Sequence, residues 1–94
     1  MSNGATAKRA AKEQVTLEFP NNALLAALGG AHQKHFVRVE QKLGVRIATR
    51  GNLVAVEGSP EARERAASVL RAIYARLEAN ENIGLAEVDA VIAG

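Results

Sequence analysis

The sequence predicts a small α+β domain of order β-α-α-β-β-α: a three-stranded sheet with helices packed on one face, followed by a short C-terminal helix. Three observations lead there. Apolar and polar residues alternate around 15–19, 45–50 and 53–57, the period of a half-buried strand. Apolar residues recur at helical spacing over 24–28, 36–43 and 66–77. The length, 94 residues, allows one small domain and not two.

The elements follow in order. Residues 1–13 are small, polar and charged without apolar periodicity, and read as a disordered tail. Val15, Leu17 and Phe19 alternate with Thr16 and Glu18 in a first strand, which Pro20 ends. Asn21 or Asn22 caps a helix with Leu24, Leu25 and Leu28 on its apolar face, and Gly29-Gly30 stops it. A second helix is expected from about Gln33 to Leu43, with Phe36, Val39 and Leu43 buried and Gly44 at its end. Val45, Ile47 and Thr49 alternate with Arg46, Ala48 and Arg50 in a second strand. Arg50-Gly51-Asn52 turns the chain, and 53–57 returns as the third strand. Ser59 caps a third helix with Pro60 at its first position; Ala66, Leu70, Ile73, Tyr74 and Leu77 form its apolar face. Asn80-Glu81-Asn82 ends it, and Leu85, Val88 and Ile92 keep helical spacing in a last segment. The domain proper is expected over 14–80, with 81–94 a C-terminal helical extension or linker.

Composition narrows the function. The chain has no cysteine, which removes disulfides, thiolate metal sites and a Cys nucleophile. Its longest apolar run, Ala23 to Leu28, is far short of the roughly 20 residues that span a bilayer. No apolar stretch follows the N-terminal charges as in a secretory signal, so a cytoplasmic domain without membrane contact is expected. No Ser/His/Asp or paired-carboxylate framework is evident, so neither an enzyme nor a cofactor is expected.

The net charge of +2 hides an asymmetry. Residues 30–50 carry Lys34, Arg38, Lys42, Arg46 and Arg50 against Glu40 alone, a local charge of +4, whereas 51–94 carries −3. Such a block suggests a polyanionic partner. Lys34, Arg38 and Lys42 recur every four residues as a basic stripe. The plain alternative is an ordinary solvated helix face. His32 and His35 lack further ligands for a metal and read as structural or phosphate-contacting. Phe36 could stack on a base, but its place on the apolar stripe points to core packing. Glu61, Glu64 and Arg65 read as surface charges.

The frame formed by Gly30, Phe36, Val39, Gly44, Val45 and Ile47 resembles the KH nucleic-acid-binding module, in which a glycine loop joins two helices and a Gly-aliphatic-x-Ile strand follows. The element order is that of the type I form. The family's GXXG loop, which clamps about four nucleotides of backbone, corresponds to Gly30-Ala31-His32-Gln33; the first glycine is present and the second is Gln33. Over residues 15–92 the chain is similar to the N-terminal domain of PhoH-like proteins. The similarity is carried by Gly30 and His32, Val39-Glu40-Gln41, Leu43-Gly44-Val45, Arg50-Gly51-Asn52, Gly58-Ser59-Pro60-Glu61-Ala62 and the segment around Asp89. In that family a KH-like domain precedes a P-loop ATPase linked to RNA metabolism. No G-x-x-x-x-G-K-[ST] occurs in this sequence, so the ATPase activity is not assigned to it.

The resemblance implies binding of single-stranded RNA in a groove beside the first helix, the glycine loop, the second helix and the second strand. Gly30, Ala31, His32, Gln33, Lys34, Arg38, Lys42 and Arg46 are the expected contact residues, with free N–H groups at the start of the second helix meeting phosphates. Affinity is expected to be mostly electrostatic and salt-dependent. The P-loop ATPase domain of the same family is the protein partner implied. Two alternatives stay open. One is a protein-interaction or oligomer-orienting module, homo-oligomeric or docked through Leu85, Val88 and Ile92. The other is a winged helix-turn-helix DNA binder; a first strand within a three-stranded sheet would separate the KH order from it.

Overall fold

The structure, a computed structural model, describes residues 14–94; the tail expected over 1–13 lies outside the described residues. Three strands, β1 (Gln14–Glu18), β2 (Arg46–Arg50) and β3 (Leu53–Glu57), form one antiparallel sheet in the order β1-β3-β2. Four helices accompany it: α1 (Asn22–Gly29), α2 (Lys34–Leu43), α3 (Pro60–Glu78) and α4 (Leu85–Ala93), with a single 3-10 turn at Ala31–Gln33 between the first two. The expected α+β fold, with β1 as one edge strand of the sheet, is what the chain adopts.

Register places the side chains. Leu17 lies opposite Val54 and Val15 opposite Val56, and Ile47 flanks Val56 from the other side. These residues form the inner face, where Leu17, Val54 and Val56 are buried under the helices. Gln14, Thr16 and Glu18 point to the opposite, open face with Arg46, Ala48 and Arg50, because strand side chains alternate. Arg46 stands beside Glu57 there.

The caps follow the sequence. The Asn21 side chain accepts from the Leu24 N–H at 3.1 Å, and Ser59 accepts from the Ala62 N–H at 3.2 Å, each satisfying a first-turn donor. The Asn21 N–H itself donates to the Tyr74 hydroxyl, 3.2 Å away, and the Tyr74 ring packs 4.6 Å from that of Phe19. One aromatic on α3 thereby fixes both the end of β1 and the start of α1.

The last helix packs back on the domain. Val88 is fully buried and Ile92 nearly so, within this chain's own core, where α4 lies against α2 and α3. Val88 and Ile92, which the interaction-module alternative would place against a neighbour, pack against this chain's own core. Asn80, left-handed at φ 66°, turns the chain after α3, and the four residues 81–84 bring it back along the bundle. Two charges fasten α4. Arg65, on the surface as expected, donates to the Ile92 carbonyl at 2.9 Å, and Arg38 of α2 donates to both Asp89 oxygens, at 2.7 and 2.9 Å.

Candidate nucleic-acid interface

The turn between α1 and α2 is built on two glycines with different tasks. Gly30 has φ 76° and ψ 176°, a region essentially restricted to glycine. A Cβ there would come within 2.8 Å of the His35 ring. Gly29 lets the Phe36 ring lie against the α1 backbone, where a Cβ would sit 2.9 Å from it. His35 is buried, and its Nδ1–H donates to the Leu28 carbonyl at 3.1 Å. Since only the nitrogen can supply the proton in that bond, the tautomer is fixed. The imidazole therefore ties the C-terminus of α1 to the first turn of α2.

Past Gly30 the chain is strained. His32 and Gln33 are both left-handed, at φ 54° and 58°, a conformation costing a non-glycine residue about 1–2 kcal/mol. The expected second helix therefore begins at Lys34 rather than Gln33. The Gln33 N–H donates to the Gly30 carbonyl and the Lys34 N–H to that of Ala31. Two amides expected to be free for phosphate are already taken by the turn.

An open cleft of about 530 Å³ lies beside this turn. Asn22, Leu25, Ala26 and Gly29 of α1 form one wall; Gly30, His32 and Gln33 form the end; Phe36 lies at the floor; Thr49, Gly51 and Asn52 close the far side. These are the four elements the resemblance implied. Of the expected contact residues, Gly30, His32 and Gln33 are brought together in the cleft, while Ala31 is exposed on the turn outside its lining.

The cations go elsewhere. At 100° per residue, Lys34, Arg38 and Lys42 lie about 120–160° around α2 from Phe36. Arg38 meets α4, and its contact with Asp89 is the one ion pair among the described residues, while Lys34 and Lys42 are exposed. Arg46 projects from the open face of the sheet. The basic stripe and Phe36, which faces the cleft, therefore lie on different flanks of one helix. The cleft lining carries Asn, Gln, Thr and His but no formally charged side chain. Among the described residues no group of three or more His, Asp or Glu is placed to hold a metal ion.

Sequence reasoning named the elements of the cleft but missed Asn22, Ala26, Thr49 and Asn52. Their signal was weak: two were read as a helix start and a turn, and small or neutral residues carry no charge pattern. It also missed the Glu40 carboxylate, which accepts from the Ile47 N–H at 2.8 Å and joins α2 to β2. No protein-family model matches the chain, and no curated protein or solved structure does so either. None of its helices in residues 14–94 is long and apolar enough to cross a membrane.

Proposed function

We propose that this chain is a single-stranded RNA-binding domain that takes bases into the cleft between α1, the Gly30 turn, α2 and the β2–β3 turn. The observation that carries the reading is the cleft itself: a strained glycine turn at one end, an apolar floor, and amide side chains on both walls. Asn and Gln side chains offer a donor and an acceptor each, matching base edges, and the Leu25–Phe36 floor offers apolar surface to a base face. Two further points support it: β1 is a member of the sheet, the feature expected to separate the KH order from the winged-helix alternative, and the motifs quoted above over residues 15–92 suggest a likeness to the front domain of PhoH-like proteins. That likeness also makes the family's P-loop ATPase domain the protein partner we propose.

The electrostatic expectation changes with the geometry. A neutral cleft neutralises few phosphates, so binding is carried by bases more than by backbone charge. With two phosphates or fewer contacted, log K should fall with log salt at a slope no steeper than roughly −1.4. The test is binding of short single-stranded RNA and DNA across a salt series, by fluorescence anisotropy. Ala26→Glu places a carboxylate on the exposed wall of α1 with a good helix former, and should weaken RNA binding by roughly tenfold or more, about 1.4 kcal/mol. Lys42→Glu, on the far flank, should change it little. An unaltered dissociation constant in Ala26→Glu, or loss of binding confined to Lys42→Glu, refutes the cleft assignment.

A further inference from the structure

The two edges of the sheet are not equivalent. Phe19 N–H donates to the Asn52 carbonyl at 2.9 Å, in line with the β1–β3 register. Bonded and non-bonded pairs alternate along an antiparallel ladder, so Leu17 and Val15 exchange bonds with Val54 and Val56. The N–H and C=O of Thr16 and Glu18 then point away from the sheet. The same alternation turns the Ile47 and Thr49 N–H groups outward on β2, and Glu40 accepts the first of them. Along the β1 edge no described residue bonds the outward amides of Thr16 or Glu18. Beside that edge runs an open cleft of about 350 Å³ floored by Leu17, Phe19 and Tyr74, and Val15, on the inner face, is only half covered.

We propose that β1 is a homodimerisation edge: two copies pair antiparallel through this strand about a two-fold axis at Thr16, making one continuous six-stranded sheet. The residue pattern selects this occupant. A two-fold at Thr16 sets Thr16 against its own copy, Gln14 against the partner's Glu18, and Val15 against the partner's Leu17. Apolar residues meet on the inner face, amide meets carboxylate on the outer, and no like charges face each other. The same operation on β2 would set Arg46 against the partner's Arg50. The nucleic-acid cleft lies at the β2 side, so this interface is independent of the RNA-binding reading. Five residues per copy bury less than the area of a standard permanent dimer, so association is in the micromolar range or weaker.

Sedimentation equilibrium of the full chain from micromolar to millimolar concentration, with amide exchange followed in parallel, tests this. A monomer–dimer equilibrium is expected, with the Thr16 and Glu18 amides gaining protection as concentration rises. Thr16→Pro removes one outward N–H from an edge strand without touching a β1–β3 bond, and should raise the dimer dissociation constant by roughly tenfold or more at near-wild-type melting temperature. Thr16→Lys, which sets two ammonium groups opposite each other, should do the same should the proline variant not fold. A chain monomeric at millimolar concentration overturns the proposal. So does a dimer unaffected by Thr16→Lys, or protection of Thr16 and Glu18 that is independent of concentration, which would mean that residues 1–13 cover the edge.

Discussion

Replacing Gly30 by alanine should be among the most damaging single-methyl additions this chain can receive. The backbone at φ 76°, ψ 176° excludes a side chain at a cost of about 1–3 kcal/mol. The new Cβ also meets His35 Cε1 and Nδ1 at 2.8 Å. That ring has nowhere to go: it is 3% exposed and bonded to the Leu28 carbonyl, so the overlap adds about 1–3 kcal/mol. Taking the middle of both ranges gives about 4 kcal/mol, a large share of the roughly 5–15 kcal/mol that holds a domain folded. For a domain of this size the melting temperature should drop by roughly 15–30 °C, read by circular dichroism. Gly51→Ala is the control. Its φ is 59° but no atom lies within 4 Å of the added methyl, so only the backbone term remains, about 1 kcal/mol. Adding His35→Ala to Gly30→Ala should recover part of the loss, since the methyl then has room. If Gly30→Ala melts within a few degrees of Gly51→Ala, the imidazole is not holding the turn, and the account of the α1–α2 junction fails.

Two further outcomes follow from the packing. Val88→Ala removes two buried methyl groups where α4 meets the core and should cost about 2 kcal/mol in urea unfolding, with one cooperative transition; a cost near zero would mean α4 is peripheral. Glu40→Ala leaves the Ile47 N–H without its carboxylate and should cost about 1.5–3 kcal/mol, with faster amide exchange at Ile47; unchanged exchange there would refute the bond.

The fold was legible because its signals are local and redundant. Period-two alternation at Val15–Phe19 and 53–57, caps at Asn21 and Ser59, and stops at Gly30 and Gly44 each fix one boundary by short-range chemistry. The site was legible only in part. Spacing along α2 shows that Lys34, Arg38 and Lys42 share a stripe, but not which neighbour that stripe faces. That depends on α4, whose Asp89 lies 51 residues from Arg38. The segment 85–93 shows its apolar face in sequence, yet whether such a face is covered by the same chain or another is a tertiary question. Arg65 and Glu40 were hidden for a related reason: their partners are backbone groups, a carbonyl and an amide, which every residue carries and no composition reveals.

The Glu40 carboxylate has a consequence for how many copies can join. A sheet with two open edges accepts a strand at each, every addition regenerates an edge, and the product is a fibre. With the Ile47 amide occupied, a strand arriving along β2 finds fewer open groups than one arriving along Gln14–Glu18, so extension from the β2 side is disfavoured. One side chain, placed to join a helix to a strand, thus makes one edge of the sheet a poorer template than the other. A substitution there that left the fold standing would be felt less in melting temperature than in the tendency of a concentrated solution to gel.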